Sequence, residues 1–462
     1  MKITYQITPK KVEENNHQYD IHEIVDEIKR DISWGTYSER LSAATKTIGN
    51  DNYMNLSPDT NINNQHTDNG FISFEVNFNF KKEQFNFEEE GLNHFIGTIA
   101  GDIIRNRKIK ELIVKDFEFD NYDFFPGPIL GNNELKSKFF SETLDSPRPL
   151  IAFSIKPRIG FSIEGYKKII ADASKSNIDI IEDDERLVSP LNCSFSERVQ
   201  SIQETIKSGT KSKLSINLTS NPHKIDERVA EAYDAGIRVF KLDVMVVGFD
   251  TLLHLRTLLN KKDEKCIITV FPDVHGSIYR CLSRNFILKL ARLCGADIMY
   301  AGSPFPSRMG KLIENNEPLE KWSIEYRTWI NECKKIHAVL LDNINNAEHI
   351  KSCLPTITHD INPQIMETLI HLMKLGINDK MEYAFFIGGG ISSFKCNYTI
   401  KESCELWLDI AKYSGGFDLS QINITDYNKL ERFTKEGYQE CLEANGIGVI
   451  HNIETIKYKS YD

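Results

Sequence analysis

Four acidic side chains stand in a row at Glu182, Asp183, Asp184 and Glu185, directly after the apolar pair Ile180 and Ile181. Hard divalent ions such as Mg2+ take oxygen ligands, and one or two carboxylates complete such a site with water and substrate. Glu182, Asp184 and Glu185 are therefore candidate metal ligands; the plainer alternative is a solvated acidic turn. Lys156 closes a second apolar run, next to Pro157 and two residues from Arg158. A lysine that is partly desolvated beside another cation has its charged form disfavoured and acts as a general base. The alternative is a lysine paired with the acidic cluster. His275 follows a third run, either as a proton-transfer group or as a structural hydrogen-bonder. Gly388, Gly389 and Gly390 follow a fourth. Backbone without side chains lets N–H groups approach a phosphate, and a following helix terminus favours an anion; a tight turn is the alternative.

These residues must be brought together by the elements that carry them. From about Pro149 onward, short apolar runs recur, each followed by a helical segment: LIAFSIKP, IDIIEDDE, LSINLTS, IRVFKLDV, CIITVFPD, ADIMYAGS, LPTITHD and EYAFFIGGG. Most run ends are spaced by roughly 25 to 35 residues, the size of a βα unit. Continuous apolar runs mean parallel strands covered on both faces. Eight such units predict a (β/α)8 TIM barrel, whose C-terminal strand ends form one rim. Lys156, the acidic tetrad, Asp243, Asp273, His275 and the glycine triplet all fall at or just after run ends. An open doubly wound sheet would carry a Gly-rich first turn, and SIKPRIG is not one. The segment before the barrel has an α+β pattern. Residues 21 to 32 and 91 to 106 read as helices, 71 to 80 and 109 to 119 as strands, and 55 to 70 as a loop or hairpin connection. The expected division is 1–148, an α+β domain, and 149–462, the barrel with a C-terminal helical extension.

Composition narrows the function. With 56 basic against 66 acidic residues, the net charge of -10 argues against a nucleic-acid binder. No apolar run reaches the roughly 20 residues that span a bilayer. The start MKITYQITPKK has no apolar signal core, and the nine scattered cysteines lack zinc-type pairs and read as reduced thiols. A cytoplasmic protein is expected.

At the run ends the chain resembles the RuBisCO large-subunit superfamily. SIKPRIGFSIEGY resembles the family's TIKPKLGLS segment and NIDIIEDDERL its GGLDFTKDDE metal segment. KLSINLTS, IRVFKLDVMVVGF, VFPDVHGSIYR, ADIMYAGS and IGGGI follow in the family's order. The resemblance spans roughly residues 90 to 400 and implies a smaller α+β (ferredoxin-like) N-terminal domain before the barrel. It also implies a homodimer in which one subunit's N-terminal domain completes the partner's site, with Asp31 and Asp102 near the positions that do so. It places the family's proton-abstracting lysine at Lys156, an active-site histidine at His275, and metal carboxylates at Asp184 and Glu185. Several positions depart from the pattern. The lysine that becomes a carbamate is Glu182 here, a His-Arg pair is Phe271 and Pro272, a histidine is Tyr300 and a serine is Thr358. The loop after the sixth run reads SPFPSRMGKL, where Arg308 or Lys311 stands in for a catalytic lysine. Arg158, Thr358, Arg308 and Lys311 are the expected substrate contacts. The resemblance therefore implies a RuBisCO-like protein of the non-carboxylating, form IV type. Its implied work is Mg2+-assisted proton abstraction from a phosphorylated, sugar-derived ketone, ending in enolisation, isomerisation or decarboxylation. The competing reading is a catalytically degenerate barrel that binds or regulates.

Overall fold

The structure, a computed structural model, describes residues 1–13, 16–33, 57–144, 148–157, 160–273, 280–302, 331–358, 361, 366, 370, 382–392 and 399–416. Near the N-terminus, β1 (Lys2–Pro9), β2 (Asp59–Asp68), β3 (Phe71–Asn79) and β4 (Ile109–Glu118) form an antiparallel sheet in the order β2-β3-β1-β4. Alternation makes the sheet one-sided: Ile3, Tyr5 and Ile7 of β1 and Val76 and Phe78 of β3 are fully buried. The helix Ile21–Ser33 buries Ile21, Ile24, Val25, Ile28 and Ile32, the three-and-four spacing of one helical face.

The segment expected as a loop or hairpin connection holds β2 and the turn of its hairpin with β3. β2 is an edge strand paired only with β3, and most of its residues are exposed, so it carries no apolar alternation to read. Asn69 and Gly70, both at positive φ, make the two-residue turn into β3.

The barrel strands are β5 (Ile151–Ser154), β6 (Ile180–Glu182), β7 (Lys213–Asn217), β8 (Val239–Asp243), β9 (Ile267–Phe271), β10 (Ile298–Tyr300), β11 (Leu354–Ile357) and β12 (Ala384–Ile387). All eight pair in parallel and the circle closes between β12 and β5. One alternate set, including Ala152, Ile180, Val239, Ile267, Ile298, Leu354 and Ala384, fills the lumen with Leu130, Leu135 and Phe140. The other, including Phe153, Ile181, Leu214, Ile216 and Ile268, packs in the main core with the surrounding helices. Two residues on from the lumen set, toward the strand ends, stand Ser154, Glu182, Lys241, Thr269, Tyr300, Thr356 and Phe386, with Phe271 one level further at the end of β9.

The N-terminal unit is held to its own barrel by Asp250. Its carboxylate accepts the N–H groups of Leu92 (2.7 Å) and Asn93 (3.0 Å) at the kink in the helix Phe87–Ala100. Gly91, at φ +76, sits so close that a Cβ there would lie 2.7 Å from Asp250 Oδ2. Among the described residues no helix is long and apolar enough to cross a membrane. The expected helical extension after Gly416 lies outside them.

Candidate active site

The cavity at the C-terminal strand ends has a volume of about 330 Å³ and is lined by Ser154, Lys156, Glu185, Phe271, Tyr300, Thr358 and the Gly388 to Gly390 turn, among others. The structure thus brings Lys156, Glu185, Thr358 and the three glycines together from four strand ends. His275, Arg158, Arg308 and Lys311 lie outside the described residues. Asp31 and Asp102 are exposed on the N-terminal unit. Asp102 faces Arg105 at 3.5 Å, and no described contact joins either acid to this chain's strand ends.

Lys156 does two things at once: it lines the cavity and it donates to Asp184 Oδ2. Burial pushes the Asp184 carboxyl up, but the Lys156 ammonium and the Arg186 N–H (3.0 Å to Oδ1) outweigh it and hold the group below the usual carboxylate range. Gly388 makes room for the lysine, because a Cβ there would come within 2.7 Å of Lys156 Cε. Gly390 has a different reason: its Cβ would meet Trp407 Cζ2 at 2.8 Å and the Ile361 carbonyl oxygen at 3.0 Å. Gly390 is therefore required by packing, while Gly388 leaves the room in which Lys156 is placed. Gly388→Ala is expected to displace Lys156 and lower turnover at least tenfold, with little loss of stability because the end of a lysine side chain can move. Steady-state kinetics beside a thermal melt checks both halves.

The acidic tetrad does not converge on one point. Glu182 is fully buried. Its Oε1 accepts from Ser154 Oγ (2.5 Å), Lys241 Nζ (2.8 Å) and Tyr300 OH. Asp183, also fully buried, accepts from Tyr166 OH (2.9 Å), Arg198 Nε (3.2 Å) and the Asn217 N–H (3.1 Å). Of the four acids only Glu185 is partly exposed, and only Glu185 lines the cavity. Glu182 Oε2 is buried with no donor, one oxygen where a hard divalent ion needs about six. Among the described residues no three His, Cys, Asp or Glu side chains gather in a metal-holding group. The expected set of Glu182, Asp184 and Glu185 does not fit a divalent ion as arranged, because two of its members already hold ammonium groups.

Lys241 was not singled out from the sequence. A signal was present: Lys241 and Asp243 are two apart on one strand, so if Asp243 reaches the rim, Lys241 faces the lumen one level below. Asp243 itself lies at the rim, 3% exposed. Its Oδ1 accepts the N–H of Asp273 (3.1 Å) and of Met245 (3.2 Å). Burial, reinforced by the nearby Asp273 carboxylate against the opposing backbone N–H groups, pushes its carboxyl up to about 7. A folded-state value raised above the unfolded one means that stability declines as pH rises from about 4 to about 7, then levels off. Asp243→Asn keeps an acceptor for both N–H groups without the buried charge. It is expected to stabilise the protein by on the order of 3 kcal/mol near pH 8 and by less near pH 5, read from urea denaturation at the two pH values.

The sequence profile of the ribulose bisphosphate carboxylase large chain, catalytic domain, matches residues 139–395, more than half of the chain. The chain belongs to the RuBisCO large-chain family. Ribulose bisphosphate carboxylase of Archaeoglobus fulgidus is 25% identical over 322 residues, covering 66% of this chain and 68% of that protein. The same enzyme of Pyrococcus furiosus is 26% identical over 298 residues, covering 62% and 64%. A ribulose bisphosphate carboxylase-like protein of Archaeoglobus fulgidus is 24% identical over 310 residues, covering 65% and 63%. The chain thus aligns with about two thirds of the length of these relatives. Among solved structures, the dimeric archaeal Rubisco of Hyperthermus butylicus superposes with a TM-score of 0.72 at 19% identity, covering 97% of this chain and 96% of that one. The rubisco-like protein MtnW of Alicyclobacillus acidocaldarius does so with a TM-score of 0.65 at 15% identity, covering 96% and 99%. These superpositions establish a RuBisCO fold, with the barrel and the antiparallel N-terminal sheet both matched.

Proposed function

We propose that this RuBisCO-family chain is a non-carboxylating, RuBisCO-like enzyme. It removes a proton next to the carbonyl of a phosphorylated, sugar-derived ketone and returns it elsewhere. The observation that carries the reading is the strand-end cavity in which Lys156 and Glu185 face the Gly388 to Gly390 turn. The backbone of that turn, free of side chains, takes the phosphate. The ketone carbon then lies toward Lys156. In its amine form Lys156 takes the proton, and the C–H electron pair passes into the carbonyl to give an enediolate. The transfer itself creates the ammonium that stabilises the new oxyanion. Asp184, hydrogen-bonded behind Lys156, holds the new ammonium in place so that it returns the proton. Reprotonation at the neighbouring carbon completes an isomerisation or enolisation, and loss of carboxylate from a suitable substrate gives decarboxylation.

Carbon dioxide fixation is not supported by these residues. The family position that holds a carbamylated lysine is Glu182, which has no amine and is enclosed by Ser154, Lys241 and Tyr300. Phe271 stands on the cavity wall, in an edge contact with Tyr300 at 4.8 Å between ring centres, where a bisphosphate would need a cation. A monophosphate is therefore the favoured ligand. A homodimer, with Asp31 and Asp102 of one subunit offered to the other, is supported by the likeness of fold to the dimeric archaeal Rubisco of Hyperthermus butylicus. Purified protein given ribulose bisphosphate, Mg2+ and labelled bicarbonate is expected to form no acid-stable labelled product. Incorporation above a blank without protein would overturn this part of the proposal.

The second reading, a barrel that binds without turning over, is favoured by one observation. The buried acids are already matched with cations, so the rim is satisfied without further chemistry.

A further inference from the structure

We infer that Lys241 supplies, within the chain, the positive charge that a divalent ion would otherwise bring to Glu182, so that the strand-end site is assembled without a metal. The inference goes beyond the proposed reaction and does not depend on it. A barrel that only binds its ligand would show the same indifference to metal.

Lys241 sits on β8, across β7 from Glu182 on β6, and both side chains point into the lumen. The side chain of Lys241 is 1% exposed and that of Glu182 is fully buried. The ammonium donates to Glu182 Oε1 at 2.8 Å and to the Asp183 carbonyl oxygen at 3.1 Å, and Tyr300 OH lies 3.2 Å away. Lys241 also stands 4.9 Å from the ring centre of Tyr300 and 5.7 Å from that of Phe271, so it lies against aromatic rings as well as the carboxylate. Burial pulls the ammonium down, but the carboxylates of Glu182, Glu185 and Asp184 outweigh it and leave the group above the ordinary lysine value.

The charges then close. Three fully buried carboxylates of the tetrad face three cations: Glu182 with Lys241, Asp183 with Arg198 and Asp184 with Lys156. A divalent ion entering at Glu182 would meet an ammonium already on the better-bonded oxygen. Expelling that ammonium within the lumen would strand a charge in low dielectric. The donor-free oxygen of Glu182, Oε2, belongs to a residue that does not line the cavity through which an ion would arrive. The second alternate layer of the barrel is thus a closed polar cluster of Ser154, Glu182, Lys241 and Tyr300. It shapes the floor beneath Lys156 without ligating anything.

Two measurements on the full-length protein test this. Manganese titration followed by electron paramagnetic resonance is expected to show no saturable site tighter than about 1 mM. The melting temperature is expected to move by less than about 1 °C between excess EDTA and millimolar Mg2+. Lys241→Met, which strands Glu182, is expected to lower the melting temperature by on the order of 10 °C. Glu182→Gln combined with Lys241→Met is expected to recover most of that loss. Failure of the single variant to fold while the double variant folds is the same result. Saturable manganese binding by the wild type that Glu182→Gln abolishes would overturn the inference, whatever the variants do. A Lys241→Met protein that melts like the wild type would overturn it equally.

Discussion

Lys156→Arg is expected to lower proton exchange at the substrate carbon about a thousandfold while leaving the fold intact. Arginine keeps a cation against Asp184, so the buried carboxylate at the end of β6 stays paired. A guanidinium does not release its proton in a protein, however, so it cannot take one from carbon. General-base contributions fall within about a hundred- to ten-thousandfold, which sets the expected size. Ligand binding should change far less than turnover, because the Gly388 to Gly390 turn and Thr358 still line the cavity. Comparing deuterium exchange rates with calorimetric affinity separates the two effects. Lys156→Met is the less informative variant, since it also strands Asp184, which is fully buried. Turnover by Lys156→Arg close to the wild-type rate would mean that Lys156 only pairs with the acidic cluster.

The second large effect is on stability. Arg198→Met is expected to lower unfolding free energy by about 3 to 5 kcal/mol, the range for breaking a buried ion pair on one side. Arg198 has no exposed surface and lies near the start of the helix Phe195–Lys207. Besides Asp183, its guanidinium holds the carbonyl oxygens of Cys193 (2.9 Å), Leu187 (3.1 Å) and Val188 (2.9 Å). These four contacts tie down the loop that follows Asp184 and Glu185. Arg198→Lys keeps a charge but not the fork of donors, and its stability should fall between the wild type and Arg198→Met. Urea denaturation of the three proteins orders them.

The barrel was legible because parallel strands covered on both faces leave continuous apolar runs. With the runs taken to end at Lys156, Asp184, Thr219, Asp243, Pro272, Gly302, Thr358 and Gly388, all eight ends fall within two residues of the observed strand ends. β2 was not legible, since an exposed edge strand has no apolar face to betray it. The chemistry of the tetrad was half legible. Position alone put Glu182, Asp183, Asp184 and Glu185 at one strand end, but side-chain direction assigned them separate tasks. Asp183 turns to Arg198, Glu182 to Lys241, Asp184 to Lys156, and Glu185 to the cavity. Those partners are 15, 59 and 28 residues away in sequence, so no local spacing announces them. The glycine triplet was read for its backbone, while the positions of Lys156 Cε and Trp407 that it also accommodates appear only when the barrel closes.

The most direct test of the central claim is proton NMR of a panel of ketose monophosphates in heavy water with the wild-type protein. Proton abstraction at the strand-end cavity is expected to bleach the signal of the hydrogen beside the carbonyl in at least one of them, at a rate proportional to enzyme. Saturable binding of these compounds without any such exchange would contradict the account and leave a barrel that binds but does no chemistry.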